Sequence, residues 1–123
     1  MAMSDNKMAS SKVLSAEEAV TLAAIAERIF PKTDTPGAAA SGAVNYIDIA
    51  LAGDYAGLAP LYHQGLRALQ RYARSKYGKK FIELADDDMD AVLRDFEAGT
   101  TDSFKPAAEF FETLRYHVLE GVF

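Results

Sequence analysis

The chain has two histidines, His63 and His117, and no cysteine, so any metal centre would have to be built from imidazoles and carboxylates. Neither histidine has a second histidine or a carboxylate four residues on, where one helix face would offer both to a single ion. Both read as ordinary histidines, with His117 half-buried beside Tyr116 on a helix. Asp86, Asp87, Asp88 and Asp90 invite comparison with a calcium loop. An EF-hand, however, alternates its oxygen ligands around a central glycine and closes on a glutamate, and that spacing is missing here. Negative charge at a helix start accounts for the run. Asp48 lies among Tyr46, Ile47 and Ile49, where a carboxylate on a largely apolar helix needs a partner; capping or structural pairing is expected rather than catalysis. No glycine-rich phosphate loop follows a strand, and no serine has a histidine and carboxylate at a nucleophile's spacing. Without cysteine there is no thiol nucleophile, disulfide or cysteine-held iron–sulfur cluster. An autonomous enzyme would therefore rest on Asp48 and the two histidines alone.

Binding chemistry is better represented. Arg67, Arg71 and Arg74 recur at i, i+4 and i+7, with Lys76, Lys79 and Lys80 close behind. The simpler reading is a solvated helix face whose arginine stems cover apolar surface; the other is a docking patch for an acidic partner. Six tyrosines and seven phenylalanines are generous for 123 residues, and Phe110, Phe111, Tyr116 and Phe123 crowd the C-terminal helix. A small bundle cannot bury all of them, which leaves two readings: an interaction module with aromatic anchors at an interface, or simply a surplus of surface tyrosines.

The elements that must position these residues are helical. Ser15 and Glu18 form a capping-box pattern, and Leu22, Ile25, Ala26 and Ile29 repeat with helical period, so a helix is expected over 16–30, stopped by Pro31. Pro31 to Gly42 reads as an ordered turn. A second helix follows, with Val44, Ile47 and Leu51 on one face and Gly53 near its end. Pro60 suits the first turn of a third, whose stripe of Leu58, Leu61, Tyr62, Leu66, Leu69, Tyr72 and Ala73 closes at Gly78. Gly65 inside that helix predicts a close crossing. Phe81 and Leu84 anchor a short connection. Met89, Val92, Leu93 and Phe96 line a fourth helix ending at Gly99. Pro106 opens a fifth, with Ala107, Phe110, Phe111, Leu114 and Val118 inward and Gly121 as terminator. The expectation is an all-α, single-domain bundle of about five helices over 14–123. Residues 1–13 are expected to be a disordered N-terminal segment, either a signal remnant or an expression scar. The formal charge of −5 disfavours nucleic acid and anionic membrane, and no apolar run approaches the roughly 20 residues of a bilayer span.

The run Ile29-Phe30-Pro31-Lys32-Thr33-Asp34-Thr35-Pro36-Gly37-Ala38, with Gly42-Ala43-Val44 and Ile47-Asp48, has a familiar pattern. Tyr62, Gly65-Leu66, Leu69, Tyr77-Gly78-Lys79-Lys80-Phe81, Phe110-Phe111-Glu112-Thr113-Leu114-Arg115 and Glu120-Gly121 continue it. Over residues 14–123 the chain resembles the gluconate 2-dehydrogenase subunit 3 family, the small or gamma subunit of flavin-dependent sugar and polyol dehydrogenases. The Phe-Pro-x-Thr-Asp-Thr-Pro-Gly segment is the most specific part. The resemblance implies a non-catalytic subunit beside a large catalytic subunit of the glucose–methanol–choline (GMC) oxidoreductase type, which carries the FAD and oxidises a sugar, sugar acid or glycoside. A c-type cytochrome subunit often accepts the electrons. It also implies help in maturing and exporting the flavoprotein to the periplasm, commonly through a twin-arginine signal. No Arg-Arg pair precedes the domain here, the first arginine being Arg28, so a cytoplasmic location stays open. Relatives usually continue past the position of Phe123 with a short glycine- and aromatic-containing tail. The alternative is a transient adaptor or export chaperone that is not part of the mature enzyme. No catalytic, cofactor-binding or metal-ligating residue is expected in this chain. Partner contact is expected at Phe30, Pro31, Thr33, Asp34, Thr35, Pro36 and Gly37 and around Tyr116 and Phe123, whereas Leu22 and Leu69 should serve folding.

Overall fold

Ser15 opens the first helix with both bonds of the capping box: its hydroxyl accepts the Glu18 amide at 3.1 Å, and its own amide donates to Glu18 Oε1 at 2.9 Å. The computed structural model describes residues 13–29, 38–101 and 104–122. Five α-helices are found there: α1 (Ala16–Ile29), α2 (Ala38–Ala52), α3 (Ala59–Tyr77), α4 (Asp86–Ala98) and α5 (Ala107–Val122). Short 3-10 turns at Ala56–Leu58 and Phe81–Glu83 lead into α3 and out of it. The described residues contain no strand, as the all-α expectation required.

Local signals set most of the boundaries. Pro60 sits in the first turn of α3, where its missing amide costs nothing, and Gly78 ends that helix at φ 74°. Gly99 ends α4 at φ 73°, a left-handed conformation that glycine adopts without strain. The three aspartates at the start of α4 face its positive dipole end. Two acids of that helix also pair with Arg28, the last basic residue of α1. The guanidinium holds Asp90 bidentately at 2.9 and 3.0 Å and reaches Asp86 at 3.2 Å. That hydrogen bonding keeps the Asp90 carboxyl below its usual range.

Two boundaries differ from expectation. The turn expected through Gly42 gives way to helix from Ala38 onward, because the alanine-rich run carries α2 back over Ser41 and Gly42. Gly121 does not terminate α5, which continues to Val122. A Cβ there would stand 2.9 Å from the Ala43 Cα and 3.0 Å from the Tyr46 Cβ, so this glycine serves the α2–α5 crossing instead. Gly65 serves the α3–α5 crossing as predicted, with an added Cβ falling 2.3 Å from the Phe110 ring.

α2 packs along α5, α1 lies against α2, and α4 lies against α5, with α3 closing the bundle. Leu22, Ile25, Ile47, Tyr62, Leu69, Phe96, Phe110 and Leu114 are fully buried at the centre. Phe81 and Leu84 are buried under the α3–α4 connection, and Gln70 ties it down by accepting the Phe81 amide at 3.0 Å while donating to Thr21 Oγ1 at 3.2 Å. Val13, placed by the sequence in the terminal segment, already gives its amide to Asp48. Among the described residues, no helix is long and apolar enough to cross a membrane.

Candidate partner-binding surface

The α2–α5 crossing gathers tyrosines that neither helix would gather alone. Tyr46 on α2 donates its phenol to Glu120 Oε1 on α5 at 2.8 Å. That hydrogen bond, with burial, pushes the Tyr46 phenol up to about 12, and Glu120 also raises the Tyr116 phenol. Tyr116 is 60% exposed and Ile49 57%, with Tyr55 at the edge of exposure beside them. Tyr46, Ile49, Gly53 and Tyr55 line a shallow cavity of about 320 Å³. The result is an aromatic and aliphatic surface in which Tyr46 is held by the Glu120 carboxylate.

Beneath it lies His117. Its ring centroid is 4.9 Å from that of Tyr55 and 5.7 Å from that of Tyr116, and its Nδ1 shares a 2.9 Å hydrogen bond with the Tyr62 hydroxyl. The sequence predicts a half-buried imidazole; the structure buries it to 3% exposure, because these rings close over it. Burial pushes the imidazole below its ordinary 6.5, with Glu120 opposing weakly, and burial also raises the Tyr62 phenol. Linkage then fixes a sign. The unfolded chain takes up a proton at His117 before the folded chain does, so stability is full above the unfolded value and declines as pH falls through 6.5 toward the folded value. Urea titrations at about pH 7.5 and 5.5 should show this loss, and His117→Gln should remove most of the difference between them.

A second polar cluster sits where α1 begins. Asp48 is 7% exposed, and its Oδ1 accepts the amides of Val13 at 2.8 Å and Leu14 at 3.0 Å. The expected structural role for this carboxylate is the one found. His63 Nδ1 lies 2.8 Å from Glu18 Oε2, a hydrogen bond across 45 residues that no local spacing announces. Burial raises the Glu18 carboxyl, but hydrogen bonds from His63 and Ser15 outweigh it and leave the group below its ordinary value. Asp48, Glu18 and His63 border an open groove of about 890 Å³, walled by Leu14, Val20, Ala23 and Val44. Asp48 and His63 thus share a groove, while His117 belongs to the aromatic cluster. Each of these groups is engaged in a bond that holds two segments together. Among the described residues, no three histidine, aspartate or glutamate side chains gather as a metal-binding group.

Tyr116 is the expected contact residue that the structure describes, and it is exposed. Phe30, Pro31, Thr33, Asp34, Thr35, Pro36, Gly37 and Phe123 lie outside the described residues. The helix that follows the Phe30–Gly37 segment starts at Ala38, and Gly42 one turn later lies against the Gly121 carbonyl. The start of α2 and the Tyr116 end of α5 therefore share one end of the bundle. Sequence reasoning missed Tyr46, Ile49, Tyr55 and Glu120. The available signal was that Tyr46 and Ile49 fall off the Val44, Ile47, Leu51 stripe while remaining large and apolar.

Comparison with known proteins returns one kind of match. No curated protein and no solved structure matches the chain. The family model described as gluconate 2-dehydrogenase subunit 3 matches residues 16–123, which takes in all five helices, the aromatic cluster and Asp48, Glu18 and His63. With helices, crossing glycines and C-terminal aromatics falling inside that match, the chain belongs to the gluconate 2-dehydrogenase subunit 3 family.

Proposed function

We propose that the chain is the non-catalytic small (gamma) subunit of a heteromeric FAD-dependent dehydrogenase that oxidises a sugar, sugar acid or glycoside. Family membership supports the subunit role. The observation that carries the binding role is the exposed aromatic surface around Tyr116, within which Tyr46 is held by Glu120. Tyrosine loses little conformational freedom on docking, and an aromatic already held in place binds at lower entropic cost. The flavin and the catalytic bases belong to a large GMC-type partner, since a dinucleotide pyrophosphate is commonly held by a glycine-rich turn after a strand and this sequence has none. A c-type cytochrome passes the electrons on, and the complex works in the periplasm after export with its flavoprotein. By binding the folded partner and not its unfolded chain, the subunit stabilises it, by about 2.7 kcal/mol when present at a hundred times its dissociation constant.

Co-expression tests this reading. Without the small subunit, the dehydrogenase should lose solubility and flavin content. Tyr116→Ala should weaken the complex about tenfold, about 1.4 kcal/mol, with a smaller effect on the isolated chain, where Tyr116 covers one side of His117. Equal yield, flavin loading and activity of the large subunit alone would refute the proposal. A purified active enzyme retaining both chains in fixed ratio distinguishes a permanent subunit from a transient escort.

A further inference from the structure

The charges of this chain are segregated. Residues 55–82 carry six of its thirteen cations and none of its eighteen acidic residues, leaving seven cations against all eighteen acids elsewhere. The centre of that segment is α3, whose inner face buries Tyr62, Leu66, Leu69 and Ala73. Arg67, Arg71 and Arg74 lie on its outer face and are exposed. At about 1.5 Å rise per residue they form one line about 10 Å long. In an acidic protein a surface cation can find a carboxylate at home, and three others here do. Arg28 holds Asp90, Lys76 holds Asp95 and Arg115 holds Glu112, each within 3.1 Å. Among the described residues, no ion pair or hydrogen bond engages the side chains of Arg67, Arg71 or Arg74.

We propose that this arginine line is a second docking surface, for a carboxylate-rich face of the dehydrogenase partner. The proposal rests on the subunit reading above. Three guanidinium forks at helical spacing match carboxylates bidentately, which lysine would not do as well. An acidic protein face is favoured over an extended polyanion by the rest of the molecule. A short carboxylate cluster needs to meet only the arginines, within about one Debye length of 8 Å. A nucleic acid or anionic bilayer would also meet the surrounding acidic excess.

The test uses the FAD dehydrogenase co-expressed with this chain. Association of the two purified subunits should slow about tenfold between about 50 and 500 mM NaCl. Arg67→Glu/Arg71→Glu/Arg74→Glu should associate at least tenfold more slowly at low salt and lose most of that salt dependence. These sites are exposed on a helix that glutamate tolerates, and an unchanged circular dichroism spectrum and melting temperature confirm that the triple variant folds. Association as fast and as salt-sensitive as the unsubstituted chain's would overturn the docking surface while leaving the subunit reading intact. Failure of the unsubstituted chain to bind the dehydrogenase at all would overturn both. Sedimentation with phosphatidylglycerol vesicles covers the lipid case: arginine-dependent pelleting with unaltered dehydrogenase binding would overturn the proposal in favour of a membrane surface.

Discussion

Gly65→Ala is expected to destabilise the protein by about 2 kcal/mol, seen as a lower urea midpoint with an unchanged slope. The added Cβ would lie 2.3 Å from Phe110 Cδ1 and 2.5 Å from Cγ and Cε1, far inside van der Waals contact. The ring has nowhere to go. Phe110 is 1% exposed and meets Tyr62, Phe96 and Phe104 edge-on, with centroids 6.0, 6.3 and 6.4 Å away. Overpacking of this kind costs about 3 kcal/mol, and the better helix propensity of alanine returns about 1 kcal/mol. The sign is therefore decided by the crossing and not by propensity. In a Phe110→Leu background the smaller side chain leaves room, and the penalty of Gly65→Ala should shrink by at least half. A Gly65→Ala protein as stable as the parent would mean that the α3–α5 crossing is looser than described.

Asp48→Ala should cost about 3 kcal/mol. Its Oδ1 accepts two amides, and Leu14 is 4% exposed, so truncation strands backbone donors with little access to water. Each stranded donor is worth about 1–3 kcal/mol. The local consequence is distinctive, because the carboxylate ties the entry to α1 onto α2 across 34 residues. Amide exchange at Leu14 should accelerate well beyond the global change in stability. Asp48→Asn keeps an acceptor oxygen and should cost no more than about 1 kcal/mol. If alanine and asparagine prove equally mild, the carboxylate is not the staple that its hydrogen bonds indicate.

Both substitutions act on folding, whereas Tyr116→Ala and the arginine reversals act on association. The separation follows from burial. Asp48 and Gly65 face the interior, where neighbours cannot relax, and Tyr116 at 60% exposure has solvent to replace what is lost in the free subunit.

Much of the helical framework was legible because its signals are local. The capping box at Ser15 and Glu18, Pro60 in a first turn, and Gly78 and Gly99 in left-handed conformations each act within a few residues. The buried stripe of α4 followed from helical period alone. Gly121 misled for the same reason. A glycine near a chain end reads as a stop until Ala43 and Tyr46 are known to press against it, and those lie some 75 residues away. Gly65 succeeded where Gly121 did not because it sits in mid-helix, where a close crossing is the natural account.

The candidate surface divides along the same line. A surplus of aromatics pointed to Tyr116, and helical spacing sets Glu120 one turn beyond it, but nothing local joins either to Tyr46 or Tyr55, and nothing local joins His63 to Glu18 across the bundle. From the residues alone came the helix count, the inward faces, the structural duty of Asp48, the family likeness and the basic line on α3. Folding alone decided that Tyr46 meets Glu120, which imidazole loses its water and which arginines remain without a carboxylate among the described residues. Caps and periodicity are written within one or two turns of chain, whereas those pairings depend on which helices meet, and at what angle, once the core has closed.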